Sequence, residues 1–140
     1  MIMGAYSKVV WEHFHEPKNV GRLENPDAEG FAGGRRAGPF MRFTARLNGN
    51  VVGEIKFQTY GCAPAIAAGS FLSEAIRGKT IDEARTWDLK GLLEGLGGLP
   101  EDKRHCAELA MAALENLLVE LSRRREQKSE NFVASPEGES

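Results

Sequence analysis

The residues best suited to bind a metal ion are the two cysteines, Cys62 and Cys106, and the histidine beside the second, His105. Thiolate sulfur and imidazole nitrogen are common zinc ligands, and both also bind iron. Two cysteines in 140 residues are too few for a disulfide framework, although the pair could form one bridge. Because Cys62 and His105 are far apart in the sequence, they form no local zinc motif such as C-x-x-C, and a shared site depends on the fold.

Cys62 lies between a predicted strand and a predicted helix. Gly61 before it and Pro64 after it indicate a tight turn. A thiol at a helix N-terminus is near backbone amides and the positive end of the helix dipole, which favour the thiolate. The alternative is a small apolar side chain buried at a turn, as free cysteines often are.

His105 and Cys106 fall near the start of the predicted last helix. Adjacent helical residues point about 100° apart, so both can reach one ion only if it lies near the first turn. The alternative places Cys106 in the apolar stripe of the helix and leaves His105 exposed. The other two histidines, His13 and His15, lie on the predicted first helix, where a structural role is favoured over metal ligation.

The middle of the chain predicts strands. Apolar and polar residues alternate over Met41–Leu47, as in a strand with one buried face. Asn48-Gly49 is a strong hairpin turn signal, and the partner strand follows over Val51–Thr59. A further short strand is predicted near Phe31.

Helical patterns surround this hairpin. They cover residues 6–15, 65–76, a capped turn from Thr80 to Glu83, and a last helix from Pro100 to Leu121. Strands followed by helices predict an α+β domain, in which a small antiparallel sheet of two to three strands is covered on one face by helices, with a long C-terminal helix. We expect this domain to span residues 1–121 and the polar residues 122–140 to form a disordered tail.

Composition narrows the function classes. The net charge of -2 and the pI of about 6.0 do not favour nucleic acid or an anionic membrane as a partner. Neither a membrane span nor a secretory signal is evident, so we expect a cytoplasmic protein.

Four segments, in this order and with near-identical spacing, carry a resemblance to a known family. They are His13 to Gly21, Thr59 to Cys62, Gly78 to Ala84, and Lys103 to Cys106 with its Lys-x-His-Cys pattern. Together they cover about residues 5 to 121. The chain resembles the U-type iron–sulfur cluster assembly scaffolds, of the type found at the N-terminus of NifU proteins.

The resemblance implies a scaffold or carrier and not an enzyme. Members of the family receive sulfur from a cysteine desulfurase, assemble a [2Fe–2S] cluster and pass it to acceptor apoproteins, and their apo forms often hold zinc. Carried over to this chain, the ligands are Cys62, His105 and Cys106. Cys106 is the expected sulfur acceptor, and the charge of Lys103 is expected to lower thiolate pKa values.

The first cysteine loop departs from the family pattern, which reads Ala-x-Cys-Gly-Asp. Ala37 stands at the cysteine position and Pro39 at the aspartate position, and neither has a side chain that can coordinate a metal. The three remaining ligands can hold one zinc with an open fourth position. A two-iron cluster takes four donors, so it would need a ligand from another chain.

The segment by which the family's Hsp70-type chaperone recognises its members also differs. The family has Leu-Pro-Pro-Val-Lys at this position, and this chain has Leu99-Pro100-Glu101-Asp102-Lys103. Recognition of this chain by that chaperone is therefore in question. The alternative to a scaffold is a degenerate accessory or regulatory protein that docks the desulfurase without carrying a labile cluster. An enzyme with a Cys-His nucleophile is a weaker reading, because no third orienting group is evident. The sequence leaves the acceptor proteins, the metal and the oligomeric state open.

Overall fold

The computed structural model describes the backbone of residues 6–134 and the side chains of residues 6–127. Its helices and strands are α1 (Lys8–His15), β1 (Ala28–Gly33), β2 (Phe40–Asn48), β3 (Val51–Tyr60), α2 (Ala63–Ile76), α3 (Ile81–Ala84), α4 (Leu89–Gly95), a 3-10 turn (Glu101–Lys103) and α5 (Arg104–Ala134). This arrangement confirms the predicted α+β fold. No helix in the described part of the chain is long and apolar enough to cross a membrane.

The three strands form one antiparallel sheet in the order β1-β2-β3. In the β2–β3 hairpin, Phe40 pairs with Tyr60 at one end and Asn48 pairs with Val51 at the other. The turn therefore consists of Gly49 and Asn50, one position later than the predicted Asn48-Gly49. Gly49 has a φ of 65°, which a residue without Cβ adopts at little cost.

The core lies between one face of this sheet and the helices. Period-2 alternation places Met41 and Phe43 of β2 and Ile55 and Phe57 of β3 on the buried face. α5 makes the largest contribution to the helical side of the core, with buried Ala, Leu and Met side chains at helical spacing. This packing fixes the start of α5 relative to the sheet.

Gly30 in β1 is required by the close approach of α5. A Cβ at this position would lie 2.3 Å from the Ala113 carbonyl oxygen and 2.4 Å from the Leu117 amide nitrogen. Both are backbone atoms, so a Gly30→Ala substitution can be accommodated only by displacing the helix. Overpacking of this kind typically costs about 1–3 kcal/mol, and we expect the free energy of unfolding in urea to fall by that amount.

The matched control is Gly53→Ala in β3, where the nearest atom to the added Cβ is Asn48 Cβ at 3.3 Å. We expect this variant to unfold within about 1 kcal/mol of the unaltered protein. Equal stability of the two variants would show that α5 does not press on β1 as described.

The C-terminal boundary corrects the predicted tail. A disordered segment is predicted from residue 122, whereas α5 continues as a helix to Ala134. Polar side chains hold this extension to the sheet end of the molecule: Arg124 pairs with Asp27, and Arg125 donates to Asn50 at 2.6 Å. The polarity of this segment does not imply disorder, because Arg, Glu, Gln and Lys are good helix formers. Residues 135–140 of the predicted tail lie outside the described part of the chain.

Candidate metal centre

The two cysteines lie in direct contact although 44 positions separate them, with their Sγ atoms 2.9 Å apart. This distance exceeds the roughly 2.05 Å of a disulfide bond, and both residues are free thiols. It is shorter than the roughly 3.8 Å that separates two sulfurs bound at about 2.3 Å to one tetrahedral zinc. The sulfurs would therefore have to part by about 1 Å to admit a metal ion.

The end of β3 and the start of α2 position Cys62. The strand ends at Tyr60, and Cys62 is the N-cap residue of α2, with Pro64 in the first turn. The Cys62 carbonyl accepts the amide hydrogens of Ala65 (3.0 Å) and Ile66 (3.2 Å). The side chain of Cys62 makes no capping hydrogen bond, which leaves its sulfur directed at Cys106.

The start of α5 positions the second cysteine. Cys106 follows the 3-10 turn and lies in the first turn of the helix, with only 3% of its surface exposed. Cys62 is half-buried, and Tyr60 beside it is 66% exposed. The pair is therefore reached from solvent on the Cys62 side.

His105 is exposed and approaches only one of the two thiols. Its Nε2 atom lies 3.6 Å from the Cys106 sulfur. Within residues 6–127, no group of three or more His, Cys, Asp or Glu side chains stands arranged to hold a metal ion. The structure thus brings Cys62 and Cys106 together and places His105 next to Cys106.

The Cys106 thiol is protonated at neutral pH. Burial raises its pKa to about 12, and the hydrogen bond and charge of Cys62 act in the same direction. Lys103 lowers this pKa, in the direction predicted from the sequence, but its effect is smaller than that of burial. A metal ion must therefore displace the Cys106 proton, which makes metal affinity increase with pH.

The loop that carries Ala37 and Pro39 lies at the same end of the sheet as Cys62. Phe40, which follows this loop, pairs with Tyr60, two residues before Cys62. The loop is closed by a hydrogen bond from the Gly34 amide to the Pro39 carbonyl at 3.0 Å. Both Ala37 and Pro39 are exposed, and neither side chain offers a donor atom to the cysteine pair.

The histidines of α1 make contacts away from the cysteines. His13 Nδ1 lies 2.6 Å from Ser70 Oγ, and the ring of His15 stacks on Trp11 at 5.0 Å. Ser70 also accepts the Lys18 amide hydrogen at 2.8 Å, which ties the segment after α1 to α2. These contacts agree with the structural role predicted for both histidines. Sequence reasoning missed Ser70, whose signal is a serine on an otherwise apolar helical face.

Comparison with known proteins identifies the class to which this fold belongs. The protein-family model described as "NifU-like N terminal domain" matches residues 5–128 of this chain. The iron–sulfur cluster assembly scaffold protein IscU 1 of Archaeoglobus fulgidus is 42% identical over 119 residues, which cover 85% of this chain and 78% of the relative. IscU of Escherichia coli K12 is 34% identical over 128 residues, covering 89% and 99%.

Solved structures share the fold. A candidate SUF-system scaffold protein of Fervidobacterium islandicum AW-1 superposes with a TM-score of 0.68 at 20% identity, covering 83% of this chain and 98% of that one. The N-terminal part of a NifU-like protein of Brucella abortus gives 0.65 at 20% identity, covering 91% and 98%.

The class is thus the U-type scaffold fold. This chain belongs to the NifU-like N-terminal domain family. The IscU relatives are named as scaffold proteins, which are not enzymes.

Proposed function

We propose that the protein is an iron–sulfur cluster assembly scaffold. It binds iron, a [2Fe–2S] cluster or zinc through Cys62, His105 and Cys106, and it receives sulfur from a cysteine desulfurase. The observation that carries this proposal is the 2.9 Å contact between two thiols that come from different helices. Family membership and the scaffold names of the relatives support it.

The donor set suits one zinc ion. Two thiolates and one imidazole fill three positions of a tetrahedron and leave the fourth open. A two-iron cluster, which is the cargo of such a scaffold, takes four donors. Ala37 and Pro39 supply none, so cluster binding by this chain requires one donor from outside it.

Cys106 is the proposed sulfur acceptor. Its thiolate attacks the terminal sulfur of the desulfurase persulfide, so that a new S–S bond forms on Cys106 and the desulfurase cysteine leaves as a thiolate. Because Cys106 is 3% exposed and its sulfur lies against that of Cys62, the Cys106 thiol has to become more accessible for this step.

The second candidate function is an accessory protein that docks the desulfurase without carrying a labile cluster. The loop at Ala37 and Pro39, which has no metal-binding side chain at either position, favours this function. So does the closed contact of the two sulfurs, since a metal ion must separate them before it binds both.

The two functions are separated by sulfur transfer from a purified desulfurase. The protein would be incubated anaerobically with the desulfurase and isotope-labelled cysteine, and peptides would be analysed by mass spectrometry. A scaffold acquires labelled persulfide on Cys106, loses it in the Cys106→Ser variant, and develops visible absorption when iron is added. An accessory protein co-elutes with the desulfurase and acquires neither. Failure to bind the desulfurase would overturn both.

A further inference from the structure

Cys62 and Cys106 are placed to react with each other. Their Sγ atoms lie 2.9 Å apart, about 0.9 Å more than the roughly 2.05 Å of a disulfide bond. Both are free thiols, and the chain contains no other cysteine. Each lies at the start of a helix, Cys62 as the N-cap of α2 and Cys106 in the first turn of α5, so the fold holds the two sulfurs side by side.

The sulfur that a scaffold receives is not yet in the form that a cluster contains. A persulfide holds its outer sulfur at the oxidation level of elemental sulfur, whereas the bridging atoms of a [2Fe–2S] cluster are sulfide. Conversion of the first form into the second takes two electrons. Two neighbouring thiols supply two electrons when they form a disulfide.

We propose that Cys62 is a resolving thiol, which releases the sulfur carried by Cys106 as sulfide. The Cys62 thiol gives its proton to solvent, and the resulting thiolate attacks the Cys106 sulfur. A Cys62–Cys106 disulfide forms, the bond from Cys106 to the outer sulfur breaks, and this sulfur leaves as hydrosulfide. The outer sulfur is reduced by two electrons, and the two cysteine sulfurs together are oxidised by two. The inference rests on the proposed function, since it requires Cys106 to accept sulfur.

The contact between the two sulfurs determines which bond Cys62 attacks. Attack of a thiolate on the outer sulfur of a persulfide moves that atom to the attacking cysteine, whereas attack on the inner sulfur releases it. The inner sulfur is Cys106 Sγ, which Cys62 already touches. If the outer sulfur moves to Cys62 first, the same contact allows Cys106 to attack the Cys62 sulfur, and the products are the same.

Burial gives Cys62 an advantage over thiols in solution. Cys106 is 3% exposed, so an external thiol reaches it poorly, whereas Cys62 touches it within the fold. A reactive group held in contact competes as if it were present at very high concentration. Cys62 itself is only half-buried, so a dithiol reductant can attack its side of the disulfide and return both cysteines to thiols in two successive exchanges.

A single transfer of sulfur in the absence of small thiols tests this role. A cysteine desulfurase would be loaded with isotope-labelled cysteine, freed of the excess cysteine by gel filtration and mixed anaerobically with the protein. We expect the unaltered protein to pass through a short-lived Cys106 persulfide and to accumulate the Cys62–Cys106 disulfide, with one labelled sulfide released per disulfide. Peptide mass spectrometry measures the persulfide and the disulfide, and trapping with a bimane reagent measures the sulfide.

Cys62→Ser is the informative variant, because serine is a preferred N-cap residue and α2 should remain folded. Its Cys106 persulfide should persist at least about tenfold longer, since the intramolecular thiol is gone, and neither disulfide nor sulfide should appear. A large excess of 2-mercaptoethanol should then release the labelled sulfide, which would show that only the thiol is missing. As a further control, desulfurase that carries no persulfide should produce no disulfide in the unaltered protein.

The inference is overturned if the unaltered protein and Cys62→Ser retain the Cys106 persulfide equally long, or if the unaltered protein releases sulfide without forming the disulfide. It is also overturned if the labelled sulfur remains as a stable persulfide on Cys62. In these outcomes the proposed function stands, because the scaffold has accepted sulfur. Absence of both persulfide and disulfide from the two proteins would instead overturn the proposed function, and the resolving role with it.

Discussion

Replacement of Cys106 by serine is expected to lower the affinity of the protein for zinc by about 100-fold or more, and Cys62→Ser should have a similar effect. Loss of a group that merely orients a ligand costs about 10–100-fold, so loss of a thiolate ligand should reach or exceed the top of that range. A factor of 100 corresponds to about 2.8 kcal/mol of binding free energy. The measurement is a competition titration against a chelator of known affinity.

His105→Ala is the internal comparison for these variants. The His105 side chain is exposed and water can take its place on the metal, so we expect a loss of only about tenfold, roughly 1.4 kcal/mol. Circular dichroism should verify that each variant folds, since Cys106 is part of the buried surface. Zinc binding by either serine variant at the affinity of the unaltered protein would exclude Cys62 and Cys106 as a common site.

Replacement of Ala37 by cysteine should have the second large effect, an increase in cluster retention after anaerobic reconstitution with iron and sulfide. The added thiolate brings the donors of one chain to four and supplies negative charge that balances ferric iron. Ala37 is exposed, so the loop has room for the larger side chain. Visible absorption with iron and sulfide counts measures the outcome.

Ala37→Ser is the matched control, because its hydroxyl is similar in size but a poor ligand for iron. Pro39→Asp combined with Ala37→Cys should increase retention further, since the family pattern places a carboxylate there. If the unaltered protein already holds a stoichiometric [2Fe–2S] cluster as a monomer, the site has a fourth ligand within the chain, and the claim that Ala37 and Pro39 leave it incomplete is wrong.

The hairpin and its buried face could be predicted because a strand repeats every two residues. Met41 and Phe43 alternate with arginine and threonine, so a shift of one residue in the pairing would expose both apolar side chains to solvent. The observed turn lies one residue later than the predicted one, because register depends on backbone pairing that composition does not reveal. The extent of α5 was missed because the contact between Arg124 and Asp27 joins distant parts of the chain.

The contact between the two cysteines also joins distant parts of the chain and cannot be predicted from spacing. Spacing gave no reason for Cys62 and Cys106 to meet, since their contact depends on how α2 packs against α5. The resemblance to U-type scaffolds supplied the pairing in advance. Neither the spacing nor the resemblance indicates that the two sulfurs lie as close as 2.9 Å or that burial raises the pKa of Cys106.

X-ray absorption spectroscopy of the zinc-loaded protein, in buffer free of added thiols, tests the central claim most directly. Combined with the zinc count, it gives the number and type of ligands around the ion. Our account predicts one zinc per chain with two sulfurs at about 2.3 Å and nitrogen or oxygen donors at about 2.0–2.1 Å. Zinc without sulfur ligands, or with three or more sulfurs per ion, would contradict it.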